Sequence, residues 1–212
     1  MKLKINEIFY TIQGESLDAG LACVMVRLSG CNLRCTYCDT TYAYEEGQDM
    51  PLDAVMETVA GFGCNRVEIT GGEPLLQAGT PFLIDWLADR GCHVLLETNG
   101  TFDIGGINPA CVIIMDIKCP SSAESDKTEW RNLNHLKPQD QVKFVIADPE
   151  DYRFARATTR DIKKLPAENI LFSPAAGRLS PAQLADWILR DGLSVRLQPQ
   201  LHKLIWPEEE HR

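Results

Sequence analysis

Along nearly its whole length the chain alternates short apolar runs with stretches in which apolar residues recur every three or four positions. The first kind predicts buried strands, the second amphipathic helices. Residues 2–9 read as an opening strand, followed by a turn at Gln13-Gly14-Glu15, and residues 23–28 as a second strand. Leu52, Val55, Met56 and Val59 mark a helix behind Pro51, a good first-turn residue. Residues 66–70 form the next strand and run into Gly71-Gly72-Glu73-Pro74, and the helix after it carries Phe82, Leu83, Trp86 and Leu87 on one face. Further strands are expected at 93–97, 112–118, 141–147, 170–172 and 193–197. A helix is expected over 151–165, and another behind Ser180-Pro181 with Leu184, Trp187 and Ile188 inward. The connection 101–110 carries Gly105-Gly106 and Pro109 and is too broken for a helix.

Strands alternating with helices imply right-handed crossovers and a mostly parallel α/β sheet. About six or seven such units fall short of a closed eight-stranded barrel, so an open partial barrel is expected. Residues 1–212 read as one domain, with no repeat, linker or low-complexity tract. In such folds ligands bind beyond the C-terminal ends of the strands. The loop 29–45, Thr70 to Glu73, Glu97 to Asn99, Lys118 and Ser173 all fall there.

Composition narrows the function. At 212 residues and 44% hydrophobic, the chain can bury a full core. Its net charge of −9, without a basic block, disfavours a nucleic-acid partner. No apolar run approaches membrane-spanning length. The charged start of the chain does not read as a secretory signal, so the eight cysteines point to the reducing cytoplasm and to metal or buried thiols. Cys23, Cys92, Cys111 and Cys119 lie in or beside apolar strands, where packing explains them.

Cys31, Cys35 and Cys38, spaced C-x3-C-x2-C in one loop, are different. Soft thiolates select iron–sulfur clusters, zinc or cuprous copper. The next cysteine, Cys64, lies across a helix, so three ligands would leave one iron corner open. A structural zinc knuckle with a distant fourth ligand, or three packed cysteines, are the plainer readings. The pattern with Tyr37 before the last cysteine, followed by Thr70-Gly71-Gly72-Glu73-Pro74, resembles the radical S-adenosylmethionine (SAM) enzymes. That resemblance implies a (β/α)6 TIM-like partial barrel of the radical SAM type. It also implies a 4Fe-4S cluster on Cys31, Cys35 and Cys38, with SAM chelating the open iron and cleaved to a 5′-deoxyadenosyl radical. Glu73 would meet the cofactor ammonium and Lys118 its carboxylate. Tyr37, Cys38, Asp39, Gly72, Asp116, Ser121, Ser173 and Ala176 would border the rest of it. Taken alone, a glycine pair is usually a turn, Tyr37 a packed aromatic and Lys118 a solvated strand end.

The flanks are more specific. Ile8 to Ser16, Val26 to Leu33, Cys38-Asp39-Thr40, Ile117 to Ser122 and Gln200 to Pro207 closely resemble the 7-carboxy-7-deazaguanine synthases, essentially end to end. The resemblance implies a carbon–nitrogen lyase of queuosine and 7-deazapurine biosynthesis. Such an enzyme converts 6-carboxy-5,6,7,8-tetrahydropterin to 7-carboxy-7-deazaguanine by hydrogen abstraction at C6, ring contraction and loss of ammonia. Ile12, Gln13, Gly14, Glu15, Arg27, Thr70 and His202 would bind substrate, and Thr40 would hold Mg2+. A flavodoxin- or ferredoxin-like electron donor and a homodimer come with the same resemblance. No protein nucleophile is expected; Asp116, His202 and Glu15 are candidates to move protons. Arg27, alone in an apolar strand, wants an anion: the substrate carboxylate, or an ion pair with Glu15 or Glu7. A C-terminal segment of about 198–212 would close the site. Glu208 to Arg212 continue past Pro207, where some relatives stop and use their terminal carboxylate, so Pro207 receives no role. Two other classes share parts of the pattern: a glycyl-radical activating enzyme, and a non-catalytic metal-binding module.

Overall fold

The computed structural model describes residues 1–207; the expected role of Glu208 to Arg212 lies outside the described residues. The strands are β1 (Lys2–Ile12), β2 (Ala22–Leu28), β3 (Gln48–Pro51), β4 (Arg66–Gly71), β5 (His93–Thr98), β6 (Val112–Asp116), β7 (Gln141–Ile146), β8 (Ile170–Pro174) and β9 (Arg196–Leu197). The α-helices are α1 (Leu52–Gly61), α2 (Thr80–Asp89), α3 (Pro149–Thr158), α4 (Pro181–Arg190) and α5 (Leu201–Ile205). Among the described residues the strands form one sheet in the order β3-β1-β2-β4-β5-β6-β7-β8-β9. From β2 to β9 all neighbours are parallel, and β1 runs antiparallel to both β2 and β3. This is the expected open, mostly parallel partial barrel.

Strand periodicity sorts the side chains. Val24, Val26 and Leu28 of β2, Val67 and Ile69 of β4, and Val94 and Leu96 of β5 face α1 and α2 in one core. Ile113 and Met115 of β6, Val142 and Phe144 of β7, and Phe172 of β8 face α3 and α4 in another. The alternate positions point to the concave face. There Leu95, Val112 and Ile114 form a small apolar floor, and above it charged and polar residues approach the C-terminal strand ends.

Helix starts follow the sequence signals. Ser180 caps α4 by accepting from Gln183 N at 3.1 Å, and Asp148 caps α3 by accepting from Glu150 and Asp151 N at 2.7 and 3.0 Å. Pro51 sits one position before α1. Phe82 departs from its expected place: it is 54% exposed, and Leu83, Ile84 and Leu87 turn inward instead. The helix expected over 151–165 starts at Pro149 and stops at Thr158. There the Thr158 and Thr159 hydroxyls bond back to Phe154 and Arg156 carbonyls, competing with helical continuation. Only α1, α2, α3 and α4 serve the crossovers. The connections on either side of β6 hold no α-helix, and the 3-10 turns after it are pinned by Asn132, whose amide donates to Gly100 and Phe102 carbonyls at 3.1 and 2.7 Å. The short β3, on the sheet edge, and α5 were not anticipated in the sequence.

Candidate active site

One cavity of about 800 Å³ opens at the C-terminal strand ends. The cysteine loop forms one wall. Its backbone is tied to the glycine pair, with Glu73 N donating to Gly30 O at 2.7 Å and Gly72 N to Leu28 O at 3.0 Å. A Cβ on Gly72 would lie 2.1 Å from Gly30 O and 2.9 Å from Cys31 Cβ, so glycine is required by this close approach. Across the loop, Thr36 N donates to Ser122 O at 3.1 Å, and Arg34 donates to the Cys31 and Leu33 carbonyls while lying over the Tyr44 ring.

Cys31, Cys35 and Cys38 are free, half-buried and all line the cavity. Burial raises the Cys31 thiol, and lifts that of Cys35 to about 11, and the neighbouring thiols add to both effects. Among the described residues no three His, Cys, Asp or Glu groups crowd tightly enough to hold a single ion. A zinc ion needs its sulfurs about 2.3 Å from one point. A cubic cluster offers a separate iron to each thiolate. No fourth cysteine lines the cavity, and Asp116 Oδ1 is buried there without a hydrogen-bond partner among the described residues. The donor set therefore fits a three-cysteine cluster with a polar group bound beside it.

Of the residues expected around the cofactor, Tyr37, Asp39, Gly72, Asp116, Lys118, Ser173 and Ala176 line the cavity. The Tyr37 ring lies below Arg178, with its hydroxyl 3.4 Å from Val145 O. Lys118 Nζ donates to Asp116 Oδ2 at 2.9 Å. Burial opposes the Lys118 charge, but Asp116 prevails and holds the ammonium well above its usual range. Glu73 and Ser121, by contrast, lie outside the lining. Glu73 is fully buried, its carboxylate accepting from Leu75 N, Thr98 Oγ1 and Asn99 N at 3.0, 2.8 and 2.7 Å. Through those three donors it braces the glycine turn. Ser121 is likewise turned away and bonded to Asp151 through both its amide and its hydroxyl.

The same cavity is lined by the residues expected to bind substrate: Ile12, Gln13, Gly14, Glu15, Arg27, Thr70 and His202. The partner of Arg27 is Glu7, with Nε 2.7 Å from Oε1, and its guanidinium lies between the Phe9 and Tyr42 rings. Glu15 pairs instead with Lys143 Nζ at 2.9 Å. Thr40 also lines the cavity and donates to Asp39 Oδ1 at 3.1 Å, while Lys203 donates to Asp39 Oδ2 at 2.5 Å. Burial works against the Asp39 charge, but Lys203 holds its carboxyl down at about 2.

α5 closes the top. Leu201 N donates to Gly14 O at 2.8 Å and Gln200 Nε2 to Glu15 Oε1 at 2.8 Å, and Trp206 and Pro207 join the lining. His202 packs so closely that a Cβ on Gly14 would fall 2.1 Å from its Nδ1. Burial keeps the His202 imidazole below its ordinary value.

Sequence reasoning missed the charged floor. Lys143 is 5% exposed on β7, bonded to Glu15 and Glu97 and 3.6 Å from Asp116. Burial disfavours its charge, but Glu15 and Glu97 hold it well above the usual lysine range. The available signal was a charge at alternate positions of apolar strands: Glu68, Glu97 and Lys143.

Comparison with known proteins gives a consistent picture. Residues 25–106 match the family model of the radical SAM superfamily. A 7-carboxy-7-deazaguanine synthase of Chlorobaculum tepidum is 45% identical over 207 residues, spanning 96% of this chain and 94% of its own. One of Koribacter versatilis is 40% identical over 223 residues, spanning 98% of each. The crystal structure of QueE from Escherichia coli is 22% identical and shares the fold, with a TM-score of 0.77 over 95% of both chains.

Proposed function

The chain belongs to the 7-carboxy-7-deazaguanine synthases, which are radical SAM enzymes, and from that premise we propose that it converts 6-carboxy-5,6,7,8-tetrahydropterin to 7-carboxy-7-deazaguanine with loss of ammonia. The observation that carries this reading is one cavity lined by Cys31, Cys35 and Cys38 together with Gln13, Glu15 and Arg27. Cys31, Cys35 and Cys38 would hold a 4Fe-4S cluster, which together with SAM would supply the radical chemistry for hydrogen abstraction at C6.

The chain's own residues do the rest. The backbone at Gly72 and the Lys118–Asp116 pair position the cofactor beside the cysteine loop. Gln13 and Glu15 match the donor and acceptor edge of a pterin, and such a buried polar site rejects analogues that lack those groups. Arg27 keeps guanidinium N–H groups beyond the one given to Glu7, and these hold the substrate carboxylate. Thr40, with waters and substrate oxygens, suits Mg2+, a hard ion that keeps much of its hydration. α5 excludes water by capping the cavity over Gly14. An external flavodoxin- or ferredoxin-like donor, a homodimer and a cytoplasmic location complete the reading, supported by the family resemblance and the reduced cysteines. No helix among the described residues is long and apolar enough to cross a membrane.

The test is anaerobic reconstitution with iron and sulfide, followed by dithionite, SAM, Mg2+ and the carboxy-tetrahydropterin. Product mass should appear in the wild type and vanish in Cys31→Ala, Cys35→Ala and Cys38→Ala. 5′-Deoxyadenosine without the deazaguanine would refute the substrate assignment.

A further inference from the structure

A helix as short as α5 has no stability of its own in water. None of its five residues is buried, and Leu204 and Ile205 are 71% and 45% exposed. Apolar packing therefore contributes little to holding α5 over the cavity, and polar ties do that work. They run in two directions. Toward the Gln13-Gly14-Glu15 turn, Leu201 N donates to Gly14 O and Gln200 Nε2 to Glu15 Oε1, both at 2.8 Å. The His202 ring fills the space that a Cβ on Gly14 would take. Toward the cysteine loop, Lys203 Nζ donates to Asp39 Oδ2 at 2.5 Å. Asp39 follows Cys38 directly and accepts from the hydroxyl of Thr40 at 3.1 Å through its other oxygen. Successive residues of a helix point about 100° apart, so His202 and Lys203 reach different partners. α5 thus joins the turn expected to take substrate to the loop expected to take the cofactor.

The two attachments differ in kind. The one at Gly14 combines a backbone hydrogen bond with interlocked packing. The one at Asp39 is an ion pair whose side chains are 35% and 52% exposed. Such a pair is weak, and salt weakens it further.

We propose that α5 is a strap hinged at Gly14 and latched at Asp39, with Lys203 as the positioning residue that couples substrate closure to cofactor binding. This rests on the reading above, in which Gln13 to Glu15 and His202 take the pterin and Asp39 borders SAM. With the latch released, α5 swings on its Gly14 end and the cavity opens. With the pterin seated beneath His202, α5 stays down, Lys203 stays on Asp39, and SAM is held more tightly. The effect is reciprocal, so SAM tightens the pterin by the same factor.

Hydrogen exchange of the cluster-loaded protein without ligands tests the latch. The amides of Lys203 and Trp206, which donate to Gln200 and His202 carbonyls, should exchange several-fold faster at high salt than at low salt. In Lys203→Gln they should exchange at the fast rate in both, while the Leu201 amide stays protected throughout. Wild-type amides that ignore salt overturn the latch, and so does a Lys203→Gln protein that exchanges like the wild type. Equilibrium binding with the cluster left oxidised, so that nothing turns over, tests the coupling. The carboxy-tetrahydropterin should tighten SAM about tenfold in the wild type. That factor should vanish in Lys203→Gln and return in part in Lys203→Arg. A wild type that binds the pterin without tightening SAM, or a Lys203→Gln protein with the full factor, overturns the coupling. If the wild type does not bind the pterin, the substrate reading fails instead, while the exchange rates still decide the latch.

Discussion

At the scale of residues, the cavity floor is governed by Lys143. It is the common counter-charge of Glu15, Glu97 and, at longer range, Asp116. Removing one partner of a buried ionic set leaves uncompensated charge, which costs about 3–5 kcal/mol. Lys143→Met should therefore lower stability by about that much, read as a reduced denaturant midpoint with an unchanged slope. Gly72 offers a sharper steric test, because its missing Cβ is the space that Gly30 O and Cys31 Cβ occupy. Gly72→Ala should displace the cysteine loop and lower the iron bound per chain after reconstitution, while the helical circular dichroism stays as in the wild type. The three cysteines and Gly72 were legible because their spacing is local. Lys143 and Glu68 were not, since a charge inside an apolar strand has no meaning until its face is known.

At the scale of elements, α5 and the Gln13-Gly14-Glu15 turn act as one unit, though nearly the whole chain separates them. Leu201 N on Gly14 O, Gln200 on Glu15 and the close packing of His202 on Gly14 join them. Gly14→Ala should push α5 outward and raise KM about tenfold, worth about 1.4 kcal/mol of binding, with kcat changed less. A KM equal to that of the wild type would show that α5 does not close over substrate. Except for β3, the strands were legible as apolar runs, and α1 to α4 from their helical spacing. Phe82 was placed inward through its four-residue spacing to Trp86; the buried face centres on Leu83, Ile84 and Leu87, and Phe82 falls outside it.

For the whole molecule, the acidic balance of −9 meets a floor whose carboxyls titrate in opposite directions. Glu68 has a folded pKa above its unfolded value, so its contribution to stability is complete below the unfolded pKa and is lost as pH rises through the folded one. Glu15 is the reverse: Lys143 and Gln200 hold its folded pKa low against burial, and its contribution fades as pH falls below the ordinary carboxylate range of about 4.5. Stability should thus decline on both the acid and the alkaline side, by at most about 1.4 kcal/mol per pH unit for each group. Melting temperature followed across pH checks this, and Glu68→Gln should flatten the alkaline decline alone.

What the sequence determined by itself is whatever short range encodes: the thiol spacing, the glycine turn, the helix start behind Ser180-Pro181, and the parallel order implied by alternating strands and helices. The family likeness followed from the same local words, and the partial barrel from their number. Tertiary structure alone decided which glutamate Arg27 engages, that Glu73 and Ser121 turn away from the cavity, that α5 packs on the Gln13-Gly14-Glu15 turn, and that Lys143 meets Glu15 and Glu97. Each depends on strands far apart in sequence arriving in one register, where the charge of any side chain is set by neighbours that no local pattern names.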